Sequence, residues 1–162
     1  MDIIMDSSLI NLSEQIKQTL ITKKLSLSCA ESCTGGMLSS YITEVSGSSE
    51  YFHKGYITYS NDSKIKDLGV NSDTIKKFGA VSEQTALEML SGLNTDIGIA
   101  ITGVADPTQS EKKPIGLVYI AIKYLNNYDC VKNNFSGNRG EIRTQSVEKA
   151  MQMILNSTKN LD

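Results

Sequence analysis

The chain predicts an α/β fold: one domain over residues 1–162, a mixed β-sheet covered by helices on both faces in three layers (α/β/α). Three observations predict it. Short apolar runs suited to strands alternate with segments whose apolar residues recur every three or four positions. Two of those runs, "LSLSCA" and "DIGIAI", break off into small polar residues, the kind of strand end beyond which α/β sheets hold ligands. No internal repeat, low-complexity tract or linker divides the 162 residues, a length that suits one core.

Each element has its own signal. Leu9, Leu12, Ile16 and Leu20 predict an amphipathic helix over 9–23. "LSLSCA" (25–30) alternates as a strand does, and "TGGMLSSYITEV" places Met37, Leu38, Tyr41 and Ile42 on one side of a helix. "YITYS" (56–60) is β-branched and aromatic, hence a strand, with Asn61 as N-cap of a short helix holding Lys64 and Leu68. "VSEQTALEMLSGL" (81–93) is a helix capped by Ser82 and ending near Gly92. "DIGIAI" (96–101) suits a buried strand, and both prolines, Pro107 and Pro114, fall in the polar loop after it. "GLVYIAIKYL" (116–125) and "CVKNNF" (130–135) predict a hairpin turning around Asn126-Asn127. A last helix opens at Asn138, with Glu141 completing a capping box and Ile142, Ala150, Met151 and Ile154 on its apolar side.

Composition excludes several classes. With net charge −2 and pI ≈ 5.5 there is no basic field to collect nucleic acid, and the absence of Trp weakens base stacking. The N-terminus lacks the features of a signal peptide, and no apolar stretch approaches the ~20 residues that span a bilayer, so no membrane partner is expected. Three cysteines, Cys29, Cys33 and Cys130, read as free thiols in a reducing compartment, which gives a cytoplasmic expectation. The single histidine, His53, excludes zinc sites built on two or three imidazoles and leaves a Ser-His-Asp triad only if His53 is its base. Flanked by Phe52 and Lys54, it reads as a surface or structural residue. "SEKK" (110–113) matches S-x-x-K without the companion motifs of penicillin-binding proteins, and Cys29 with Cys33 lacks further metal ligands.

Three polar clusters remain. The first strand runs into Glu31-Ser32-Cys33-Thr34-Gly35-Gly36 and the later one into Thr102-Gly103. A loop that opens a helix offers unpaired N–H groups to an anion or oxyanion, but Ser, Thr and Gly are also what such turns are made of; the loop alone does not decide. "YSNDSK" (59–64) puts Lys64 in the first turn of a helix, where the dipole disfavours it. As a base, Lys64 needs its pKa lowered from ~10.4 by roughly three units; a solvated surface lysine is the default from spacing alone. "FSGNRGEIR" (135–143) places Arg139 and Arg143 four apart at a helix start, either a phosphate clamp or partners of surface acids such as Glu141.

Together the clusters resemble a known family, the C-terminal domain of the CinA competence/damage-inducible proteins, found also as stand-alone nicotinamide-nucleotide amidohydrolases. The matching pieces run in family order: "AESCTGG" (30–36), "GSSEYFHKGYITYSNDSK" (47–64), "LGV" (68–70), "GAVSEQTA" (79–86), "ITGVA" (101–105), "KPIG" (113–116) and "FSGNRGEIR" (135–143), covering most of residues 25–150. The resemblance implies hydrolysis of the carboxamide of nicotinamide mononucleotide to nicotinate mononucleotide and ammonia, with no metal or organic cofactor. It implies Ser32 as nucleophile, Tyr59 and Lys64 as its activating partners, and an oxyanion held by backbone N–H groups at the helix start. Glu31, Cys33, Thr34, Gly35, Gly36, Thr102, Gly103, Arg139 and Arg143 are the implied substrate contacts, with Arg139 on the phosphate. A homo-oligomer, most simply a dimer, is implied too; larger members carry an additional N-terminal domain, expected to be missing here.

The chain departs from the family after "ITG", where Ile-Ala-Gly-Pro and a glycine-rich turn are usual. Here Val104-Ala105-Asp106-Pro107-Thr108-Gln109-Ser110 stands instead. A carboxylate ~4 Å from a phosphate would cost several kcal/mol at an effective dielectric near 20; alternatively Asp106 points to solvent or pairs with Lys112. Two further readings follow. A degenerate member would bind a nucleotide or a partner protein with little turnover, and a third reading makes Cys33 the nucleophile.

Overall fold

The computed structural model describes residues 4–107 and 111–159. Its helices are α1 (Ser7–Lys23), α2 (Met37–Thr43), α3 (Asn61–Leu68), α4 (Ser72–Phe78), α5 (Glu83–Ser91) and α6 (Arg139–Lys159). Its strands are β1 (Leu27–Glu31), β2 (Phe52–Ile57), β3 (Ile97–Gly103), β4 (Leu117–Tyr124) and β5 (Asn127–Asn134), in the sheet order β2-β1-β3-β4-β5. β1 is parallel to β2 and β3, while β4 and β5 add antiparallel pairs, so the mixed sheet is as the sequence predicts. The chain leaves β1 for β2 on one side and reaches β3 on the other. The carboxyl ends of β1, β2 and β3 therefore lie side by side at a topological switch point.

The two faces of the sheet differ in bulk. Ile97, Ile99 and Ile101 of β3, with Leu27 and Cys29 of β1 and Val118, Ile120 and Ile122 of β4, pack against α1, α2 and α6. The opposite face carries a row of paired alanines, Ala30, Ala100 and Ala121, which lets Ala86, Met89, Leu90 and Leu93 of α5 and its following turn approach closely. A Cβ added at Gly98 on that face would lie 3.1 Å from Leu93 and 3.2 Å from Leu90. Thus α5 packs on a thin, small-residue surface that a bulkier strand would push away.

Several boundaries differ from the sequence expectation, each for a physical reason. β2 is Phe52–Ile57 rather than 56–60, because an edge strand with exposed His53, Lys54 and Gly55 shows no apolar alternation. The hairpin turns at Leu125 and Asn126, one residue earlier than predicted, since Tyr124 already pairs with Asn127; Leu125 takes the left-handed conformation (φ 49°). The N-cap of α3 is Ser60, whose hydroxyl accepts from the Ser63 N–H, not Asn61. α4 was not predicted; Asn71 caps it through the Asp73 N–H. The capping box at α6 is present, with Asn138 and Glu141 exchanging two hydrogen bonds of 3.1 and 2.9 Å. His53 sits exposed near the N-terminal end of β2, away from the carboxyl ends of the strands.

Candidate active site

Ser32 follows β1 directly and stays in the sheet, its N–H donating to the Ile101 carbonyl at 3.1 Å. On the other side the Thr58 N–H donates to the Glu31 carbonyl at 2.9 Å. Ser32 is thus held between the ends of β2 and β3, in the wall of a cleft of about 390 Å³, a size suited to a small molecule. Cys33, Tyr59, Lys64, Thr102, Gly103 and Arg139 also line this cleft.

Lys64 is buried, with 1% exposure, which settles against a solvated surface lysine. It lies in the first turn of α3, and helical side chains lean toward the helix N-terminus. Its Nζ therefore folds back over the chain entering the helix, donating to the carbonyls of Thr58 (2.8 Å), Tyr59 (3.3 Å) and Ser60 (3.4 Å). It also reaches Ser32 Oγ at 3.3 Å, across 32 residues of sequence. Burial drives its pKa down from 10.5 to about 8, against the opposing pull of Cys33 and the Glu111 carboxylate. Cys33 moves the other way. Burial raises its thiol to about 12, so it stays protonated at neutral pH and is a poor nucleophile.

Five of the implied substrate contacts are structural. The Glu31 carboxylate, fully buried, accepts from Thr34 Oγ1 (2.6 Å), the Leu38 N–H (3.0 Å), the Ser39 N–H (3.0 Å) and Ser39 Oγ (2.7 Å). It caps α2 from a distance, a task the local cap residue, Gly36, has no side chain to perform. Thr34 is likewise buried and spent on Glu31. Gly35 and Gly36 make the turn, with φ of 57° and 97°, and a Cβ at Gly36 would lie 2.9 Å from Ile57. Arg143 donates to the carbonyls of Cys33 (3.1 Å) and Thr34 (2.9 Å). It buttresses the loop that carries Ser32.

Of the N–H groups expected to be free at the start of α2, some are engaged and some are not. Those of Ser32, Gly35, Met37, Leu38 and Ser39 all donate to protein acceptors. Among the described residues, only the amides of Cys33, Thr34 and Gly36 in this loop stay without a protein acceptor. At the start of α6 the capping box engages the Asn138 and Glu141 N–H groups.

Tyr59 also differs from expectation. The residue is 57% exposed, and its hydroxyl accepts from Arg139 Nη2 at 2.8 Å and makes no bond to the Ser32 or Lys64 side chains. Arg139 pairs through Nη1 with Asp106 Oδ2 at 3.2 Å, so Asp106 neither faces open solvent alone nor depends on Lys112. Thr102 lines the cleft with its hydroxyl engaged on the Ala80 carbonyl at 2.8 Å.

Glu111 also lines the cleft and was missed in the sequence. It accepts from the Ala80 and Val81 N–H groups and pairs with Lys113 at 3.0 Å, strapping the segment before α5 to the cleft wall. A "KPIG" match next to it marked the place without revealing the carboxylate's role. Thr58, whose carbonyl is the nearest acceptor of Lys64, carried no sequence signal. Thr108, Gln109 and Ser110 of the departing loop lie outside the described residues. Among the described residues no group of three His, Cys, Asp or Glu side chains is placed to hold a metal ion, and no helix is long and apolar enough to cross a membrane.

A mixed-sheet α/β protein, with a serine and a buried lysine meeting where three parallel strands end, is the class that fold and site define. The chain belongs to the CinA C-terminal domain family, whose model matches residues 9–158. The match begins well before residue 25 and so takes in α1. A CinA-like protein of Fusobacterium nucleatum is 49% identical over 134 residues, covering 82% of this chain and 33% of that protein. A CinA-like protein of Kosmotoga olearia is 46% identical over 148 residues, covering 87% of this chain and 36% of that protein. The chain thus spans about a third of the length of the curated relatives it matches. Among solved structures, the competence/damage inducible protein CihA from Agrobacterium tumefaciens superposes with a TM-score of 0.92 at 36% identity, covering 98% of this chain and 100% of that one.

Proposed function

We propose that this domain is an amidohydrolase that converts nicotinamide mononucleotide to nicotinate mononucleotide and ammonia, with Ser32 as nucleophile and Lys64 as general base. The observation that carries the reading is the buried Lys64 Nζ, 3.3 Å from Ser32 Oγ with its pKa lowered to about 8. At pH 7 about one molecule in ten then holds a neutral amine. The Thr58 and Tyr59 carbonyls take the two amine hydrogens and turn the lone pair toward the serine hydroxyl.

Ser32 Oγ attacks the carboxamide carbon as its proton passes to Lys64 Nζ. The lysine returns that proton to the amide nitrogen, the C–N bond breaks and ammonia leaves. Water, deprotonated by the same lysine, then cleaves the Ser32 ester, releasing the carboxylate product and restoring the hydroxyl. These steps use only the two side chains and water. Arg139 at the rim is the group for the phosphate, and Tyr59 positions Arg139 instead of acting on Ser32. Cytoplasmic location and a homodimer, without nucleic-acid or membrane partners, complete the proposal.

The test is ammonia release from nicotinamide mononucleotide by the purified domain. Ser32→Ala and Lys64→Ala should each lower it by roughly a thousandfold or more. No release from well-folded wild-type protein would favour the reading as a binding member with little turnover.

A further inference from the structure

Lys64 and Arg139 are the two basic side chains lining the cleft among its described residues, and Lys64 is committed to Ser32 and three carbonyls. Arg143 is committed to loop carbonyls, and at the α6 N-terminus the capping box engages the N–H groups of Asn138 and Glu141. Among the described side chains, an anionic substrate group at the rim therefore depends on Arg139. That guanidinium already meets a carboxylate: Asp106 Oδ2 stands 3.2 Å from Nη1, while Tyr59 occupies Nη2.

We propose that Asp106 is a specificity-determining residue, which contests Arg139 with the substrate's phosphate and so limits how far the site prefers a mononucleotide over the same amide without phosphate. The proposal deepens the amidohydrolase reading and rests on it for its substrate. A phosphate approaching Arg139 must displace the Asp106 carboxylate into solvent or share the guanidinium with it. Asp106 is 42% exposed on its side chain, so displacement is open to it, but the phosphate then gains only the difference between two ion pairs. The riboside, which shares the pyridinium ring but lacks the phosphate, meets no such competition for Arg139. Removing the competing carboxylate returns the Arg139 ion pair to the phosphate, an expected gain of roughly tenfold in affinity.

The experiment compares kcat/KM for nicotinamide mononucleotide with that for nicotinamide riboside in wild type, Asp106→Asn, Arg139→Gln and the double variant. The ratio should rise roughly tenfold in Asp106→Asn, fall in Arg139→Gln, and show no rise when Asp106→Asn is added to Arg139→Gln. An unchanged or lower ratio in Asp106→Asn would overturn the proposal, because the carboxylate would then be neutral toward phosphate or aiding it. If wild type hydrolyses neither compound, the amidohydrolase reading has failed, and ribose 5-phosphate binding by calorimetry decides the role of Asp106 separately. Tighter binding by Asp106→Asn than by wild type would support the contest for Arg139; equal affinity would overturn it.

Discussion

The two ends of the cleft are built on opposite terms. At the inner end Ser32, Lys64, Glu31 and Thr34 are buried, and their polar groups, like those of the half-buried Arg143, meet strand ends, a helix start and loop carbonyls. At the rim Tyr59, Arg139 and Asp106 are half exposed and hold one another through two contacts that water can replace. A buried group that loses its partner keeps the full desolvation cost, whereas a rim pair gains little over solvation. Under the proposed function, catalytic geometry therefore belongs to the inner end and substrate preference to the rim.

The most severe way to break this contrast is at Glu31. Glu31→Ala strips four donors of their acceptor and uncaps α2, and should cost about 3 kcal/mol, or roughly 10 °C in Tm. A melting shift under 2 °C by calorimetry would show that the carboxylate is no structural keystone. Arg143→Ala comes next. Releasing the Cys33 and Thr34 carbonyls should lower kcat roughly tenfold with KM little changed, because the residue positions the nucleophile loop. Steady-state kinetics showing a raised KM and unchanged kcat would return Arg143 to phosphate binding. Tyr59→Phe is the mildest, removing one exposed hydrogen bond to Arg139; KM should rise less than about threefold and kcat should hold. A hundredfold loss of kcat in the same assay would place the phenol on the reacting serine after all.

That contrast also explains what the sequence could reveal. The sheet, both helix layers and the convergence of "AESCTGG" with "YSNDSK" follow from apolar periodicity and strand ends, which are local properties. Spacing made Arg139 and Arg143 look equivalent, one helical turn apart. Their roles were set by partners 80 and 110 residues away, Tyr59 for one and the Cys33 carbonyl for the other. Lys64 looked like a surface residue because its burial depends on β2 ending just before Thr58, whose carbonyl, six residues earlier, is turned toward it. Glu31 looked like a site residue because a buried carboxylate capping a helix six residues on leaves no motif of its own. Sequence placed the chemistry in one region; only tertiary contacts divided it into working groups and supporting ones.

Lys64 as base makes a signed prediction about pH. Folding lowers its pKa below the ordinary 10.5, so the neutral amine, and with it kcat/KM, should increase as pH rises through the folded value. The measurement to make is kcat/KM for ammonia release from nicotinamide mononucleotide between pH 6 and 10. The account predicts a rise of about tenfold per pH unit that levels near pH 8. A profile flat from pH 6 to 9, or one still climbing past pH 10, would contradict a buried, neutral Lys64 as the base for Ser32.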